Sequence, residues 1–188
     1  TLGVDVDPVL PLLYGGMQGP VDGGGSIRLL NGRFPADAAI KQAVGNHIDL
    51  FISKNTLKNG YIHPSQPVDP RKTIDLGVSD AEFVAAVAGV LNPGGWLMIY
   101  NLSPAPAAAD KPYIPWADGR CPFSREVLEQ GGFTGFAYDQ DDTPAARPDQ
   151  VHPGDVTTHI SDGRGDLPQH ADPVGVLQAN RDGVAHRG

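Results

Sequence analysis

The sequence predicts an α/β fold: an open, mainly parallel sheet with helices on both faces. Three observations carry this. Strand-like runs alternate with helical segments over the first 138 residues. Two of the runs, Asp49-Leu-Phe-Ile-Ser53 and Trp96-Leu-Met-Ile-Tyr100, are almost continuously apolar, as strands buried on both faces are. Acidic residues, glycine and asparagine follow directly on the strands, which is where open α/β sheets hold ligands.

Taken in order, Thr1-Leu-Gly-Val-Asp-Val-Asp-Pro8 reads as a strand ending in acids and stopped by Pro8, which cannot donate to a ladder. Val9 to Tyr14 suits a short helix. Gly15 to Gly25 holds six glycines and reads as loop. Ser26 to Leu30 is a second strand, closed by Asn31-Gly32. Pro35 to Val44 suits a helix stopped by Gly45-Asn46, and Asp49 to Ser53 is the third strand. Lys54 to Gly77 is irregular and long, a length that in a compact domain usually marks a functional loop. Ser79 with Glu82 forms a capping box opening a helix, whose apolar face is Phe83, Val84, Val87, Val90 and Leu91. Pro93-Gly94-Gly95 breaks it before the strand at Trp96. A proline-rich loop, Ser103 to Cys121, precedes a helix capped by Ser124. Gly131-Gly132 ends that helix, and Phe133 to Tyr138 is a final strand.

Beyond Tyr138 there is no Phe, Trp or Tyr, and four of the six histidines lie there among Gly, Asp, Arg and Pro. Such a composition buries too little apolar area to offset chain entropy. Residues 1–142 therefore read as a partial domain and 143–188 as a disordered or foreign tail. His152, His159, His170 and His186 lack metal-ligand spacing, so no metal is expected. The net charge of -8 disfavours nucleic acid and anionic membranes as general partners. A single cysteine, Cys121, makes no internal disulfide, and a cytoplasmic location is the simple expectation.

Candidate chemistry sits at the strand ends. Asp5, with Val6 beside it and Asp7 beyond, offers a carboxylate able to accept from both hydroxyls of a ribose, or simply to cap the next helix. At Asn31-Gly32-Arg33-Phe34, glycine lets a flat ring approach backbone N–H groups, with Phe34 packing on the ring; a plain turn fits the same residues. Ser53, Lys54 and Asn55 end the third strand, where Asn55 suits orienting an acceptor and Lys54 anchoring an anionic one. Tyr61 and His63, and after the next strand Trp116 and Arg120, lie in loops that roof the cleft. They read as substrate contacts, with His63 or Tyr61 a general base, or as lid packing.

The run Leu91-Asn-Pro-Gly-Gly-Trp-Leu-Met-Ile-Tyr100 resembles the turn before the fifth strand of class I S-adenosylmethionine (SAM)-dependent methyltransferases. Gly3-Val-Asp5-Val-Asp-Pro8 resembles their second strand and ribose-binding acid. Leu30-Asn-Gly32-Arg33-Phe34-Pro35 resembles the third strand and adenine loop, Ile48 to Ser53 the fourth strand, and Phe133 to Tyr138 part of the antiparallel C-terminal pair. Ser53 to Pro64, Tyr100 to Pro104 and Asp110 to Arg120 look like an uncharacterised bacterial subgroup. The resemblance implies a Rossmann-like sheet lacking its first strand and glycine-rich loop, which belong at the sheet centre before Thr1. It implies SAM as cofactor, bound through Asp5, Val6, Gly32, Arg33, Phe34, Ser53 and Asn55. The family commonly has an acid where Arg33 stands.

The expected activity is methyl transfer from SAM to a small-molecule or protein acceptor that the sequence leaves unidentified. No catalytic residue is named, because the enzymes of this family share cofactor contacts and no common base. Two alternatives stay open: a non-catalytic relative, truncated or only binding SAM, and a nicotinamide-dependent Rossmann oxidoreductase, which also ends its second strand in an acid.

Overall fold

The computed structural model describes residues 1–102, 112–138 and 173–181. The chain forms two small sheets. In the first, β1 (Leu2–Asp5) runs parallel to β3 (Gly25–Asn31), and β2 (Gly19–Val21) pairs antiparallel on the far side of β3. In the second, the order is β4 (Ile48–Lys54), β5 (Leu91–Leu102), β7 (Pro173–Arg181), β6 (Phe133–Ala137). β4 and β5 are parallel, while β7 is antiparallel to both of its neighbours.

The helices are α1 (Val9–Tyr14), α2 (Ala38–Val44), α3 (Asn59–Ile62), α4 (Asp80–Val90) and α5 (Arg125–Gln130). α4 starts where the sequence places it. The Ser79 hydroxyl accepts from the Glu82 N–H at 3.3 Å, and Glu82 accepts from the Ser79 N–H at 2.9 Å, closing the capping box. The Pro-Gly-Gly turn also has a physical cause. Gly94 sits at φ 81°, and a Cβ on Gly95 would lie 2.9 Å from the Asn92 carbonyl and 3.2 Å from that of Asp49. Only glycine lets the chain turn against β4 so closely.

The core lies on one face of the second sheet. Leu97 and Ile99 of β5 and Phe133 of β6 pack with Phe83, Val84 and Val87 of α4 and Leu128 of α5, all buried. Phe83 and Phe123 stack with centroids 5.4 Å apart. The other face differs from the two-sided cover expected. Leu50 and Trp96 are register partners and remain 49% and 42% exposed, with Ile52 beside them at 57%. Among the described residues no helix shields them.

Two segments differ from the sequence expectation. The glycine-rich stretch 15–25 contains a 3-10 turn (Gly15–Met17) and β2, since Gly23 and Gly24 at φ 90° and 86° make the hairpin that returns into β3. Residues 173–181, read as part of a structureless tail, form β7; a ladder on each side supplies an order that the Val-Gly-Val-Leu run lacks alone. The rest of that tail, with His152, His159, His170 and His186, lies outside the described residues, as do residues 103–111 of the proline-rich loop. No helix among the described residues is long and apolar enough to cross a membrane.

Candidate functional site

A cavity of about 420 Å³ opens at the carboxyl ends of β1, β3 and β4. Asp5 and Val6 form one wall, Gly32, Arg33 and Phe34 the second, and Phe51 to Lys54 the third; residues 73–76 of the long loop close over it. Parallel pairing brings the ends of β1 and β3 together in one sheet, and the end of β4, in the other sheet, meets them at the cavity.

Asp5 is half-buried. Its Oδ1 accepts from the Asp7 N–H at 2.8 Å, and Asp7 Oδ1 accepts from the Val9 N–H at 2.9 Å in the turn that leads into α1. One Asp5 oxygen therefore fixes the turn and the other is left to the cavity. Gly32 is required by packing: a Cβ there would come 2.5 Å from Ile40 Cγ1 and 2.9 Å from an Asp37 carboxylate oxygen. The backbone N–H groups expected to read a base are already used, since that of Gly32 donates to the Asp5 carbonyl at 2.9 Å and that of Arg33 to Asp37 at 2.7 Å. Phe34 forms the floor, 5.8 Å from the Phe51 ring and edge-on to Phe83 at 6.2 Å.

Ser53 is buried, with its hydroxyl accepting from the Leu57 N–H at 3.3 Å, and Lys54 reaches the cavity with no ion-pair partner among the described residues. Asn55 turns away. Held at φ 60°, it accepts the Leu102 N–H at 2.7 Å and donates its own N–H to Tyr100 at 2.8 Å, so it ties β4 to β5.

The loop residues separate. His63 Nε2 lies 2.8 Å from Asp80 at the first turn of α4 and does not line the first cavity. Tyr61 and Trp116 line a second cavity. Arg120 makes a two-pronged pair with Asp118, whose carboxyl is held below its usual range chiefly by that guanidinium. Asp118 also accepts from Asn59 at 2.8 Å, so Arg120 braces the loop.

Three residues not singled out in the sequence matter here. Asp75 lines the first cavity; it pairs with Arg33 at 3.3 Å and accepts from the Gly77 N–H at 2.8 Å. Its signal was the apolar pair Ile74 and Leu76 on either side, which anchors the loop while Asp75 points out. Lys58 is buried, donating to the carbonyls of Leu102 and Trp116, and burial pulls its pKa down. Asn101, 1% exposed, joins the end of β5 to the Leu57 and Gly119 carbonyls at 2.8 and 2.9 Å. Among the described residues no cluster of His, Cys, Asp and Glu suits a metal.

No family model matches the chain, and no curated protein matches it. Solved structures do resemble it. A possible exported protein from Bordetella parapertussis is 17% identical at a TM-score of 0.45, with 97% of this chain and 53% of that one covered. The CurJ carbon methyltransferase is 13% identical at a TM-score of 0.45, with 97% and 41% covered. A SAM-dependent methyltransferase from Mesorhizobium loti is 17% identical at a TM-score of 0.45, with 96% and 79% covered. The chain thus spans about half the length of the first two. Agreement at this level fixes neither fold nor activity.

Proposed function

We propose that this chain carries the nucleoside-holding half of a SAM site and is part of a class I SAM-dependent methyltransferase. The observation behind this is the cavity where β1, β3 and β4 end, which gathers Asp5, Gly32 and Phe34. The free Asp5 oxygen suits a ribose hydroxyl, the Phe34 ring suits the face of a purine, and Asp75 suits its amino group. Asp75 then does, from the β4 loop, what an acid at the position of Arg33 does in the family pattern. The methionyl end finds no partner of the same quality, because no glycine-rich loop opening a helix lines the cavity among the described residues.

The sheets support the same reading. β1 and β4 each pair on one side only among the described residues, and the carboxyl ends of both line the cavity. In the pattern that the resemblance implies, a further parallel strand would pair with both and carry a glycine-rich loop to the methionyl end. The antiparallel β7 and β6 beside β5 match the C-terminal pair that the resemblance implies and favour it over a dinucleotide-binding oxidoreductase. When bound, SAM supplies an already activated methyl group. The role of the protein is to hold it in line with an acceptor, a small molecule or a protein, that Lys54 can help to anchor.

Calorimetric titration of the chain with SAM, adenosine and NADH tests this. Adenosine and SAM are expected to bind weakly and alike, because only the nucleoside is gripped. Asp5→Asn is expected to weaken both about tenfold to a hundredfold, the worth of a hydrogen bond to a charged group. Micromolar SAM binding without adenosine binding defeats the half-site reading, and tight NADH binding without SAM binding defeats the methyltransferase reading.

A further inference from the structure

The second cavity, of about 550 Å³, lies on the other side of the Thr73-Ile74 segment, and those two residues line both cavities. Three aromatic rings, Tyr61, Tyr113 and Trp116, face it, together with the cations Arg71 and Lys72. The cations are unequal. Arg71 is spent on a two-pronged pair with Asp69, whereas Lys72 has no ion-pair partner among the described residues. The cavity thus joins a flat apolar lining to one lysine that makes no ion pair among the described residues.

The lining is braced. Lys58 Nζ donates to the Trp116 carbonyl at 3.1 Å and lies 5.6 Å from the Tyr61 ring centroid. The Tyr61 carbonyl accepts from the Ile74 N–H at 2.9 Å, and the Tyr113 hydroxyl accepts from the Ser65 N–H at 3.3 Å. Gly60 lets the two walls meet, since a Cβ there would come within 1.9 Å of the Pro115 carbonyl. A lining whose backbone is tied in this way, with the Tyr113 hydroxyl held as well, has less freedom to lose when a ligand stacks on it.

We propose that this cavity binds a small planar aromatic carboxylate, its ring among Tyr61, Tyr113 and Trp116 and its carboxylate on Lys72. Binding itself follows from this cavity alone; that such a ligand is the methyl acceptor rests on the function proposed above, the shared Thr73-Ile74 wall placing it next to the nucleoside cavity.

Of the two tryptophans, Trp116 lines the cavity and Trp96 does not, so a Trp96→Phe chain reports on the cavity by fluorescence. Benzoate, benzamide and benzoate with added salt are titrated without SAM. Benzoate is expected to quench Trp116 saturably, benzamide to bind about tenfold more weakly or worse, and Lys72→Glu to weaken benzoate by at least about tenfold, one charge-assisted contact being worth that much. Lys72→Arg is expected to retain binding, and added salt to weaken it. Absence of saturable quenching, equal binding of benzamide, or indifference to Lys72→Glu overturns the proposal. None of these outcomes touches SAM or adenosine binding, so the two readings fail separately.

Discussion

At the scale of single residues, the chain keeps its reactive groups quiet. Cys121 is the one thiol, and burial pushes its pKa up to about 11. An unfolded thiol ionises near 8.5, so at mildly alkaline pH the native chain holds roughly a hundredfold less thiolate than the unfolded one. Iodoacetamide labelling at pH 8 should therefore be slower by at least that factor in the native chain, and denaturant should restore it; equal rates would mean an accessible thiolate. The linkage has a definite sign. As pH rises past the ordinary thiol value the unfolded state loses its proton first, so this group lowers stability up to about pH 11. Residue positions were legible where the cause is local: Asp5 and Gly32 stand at strand ends, and both line the cavity. Asp75 had only the apolar pair Ile74 and Leu76 beside it as a signal, which marks an anchored loop and not the cavity it reaches through the fold of that loop. An amide after a strand suits a ligand and a neighbouring strand equally, and the Asn55 side-chain oxygen accepts from the Leu102 N–H.

At the scale of elements, local signals and tertiary signals part company. α4 was legible to its first residue because a capping box is closed within one turn. Glu82 is held below its usual pKa first by the Ser79 hydroxyl and then by the Ser79 N–H. Ser79→Ala is expected to lower unfolding stability by about 0.5–2 kcal/mol at neutral pH, the usual worth of an N-cap. A carboxyl with a depressed folded pKa adds its stability above its unfolded value and loses it as pH falls through the folded one. Urea melts of the two chains should thus diverge at neutral pH and draw together below the ordinary glutamate value; a gap unchanged by acid would mean that Glu82 plays no part. β7 is the opposite case. Its run is short, broken by Gly175 and shows no clean alternation, so nothing local marks it as a strand. Its order comes from β5 on one side and β6 on the other, a pairing that no window of sequence contains.

At the scale of the whole molecule, the parallel pairs β1–β3 and β4–β5 were legible from apolar runs and their alternation with helices, and the division into two sheets was not. A sequence pattern tells that a strand is covered on both faces, but not what covers it. β4 reads as a fully buried strand, yet Leu50 and Ile52 are about half exposed and its outer edge is unpaired among the described residues. Trp96 continues that apolar face on β5. An open edge beside exposed apolar side chains is a template for pairing with a second chain. The 188-residue chain is therefore expected to self-associate reversibly, with a sedimentation coefficient that rises with concentration. Leu50→Lys should shift it toward monomer, because a lysine on an edge strand opposes edge-to-edge approach. Leu50 lies outside the buried core, so its urea midpoint should move little, within about 0.5 kcal/mol of stability. Lys54, Asp5 and the cavity they share are untouched by that change, so adenosine binding should persist in the monomer. A wild-type chain that stays monomeric at high micromolar concentration would mean that the β4 edge is no docking template.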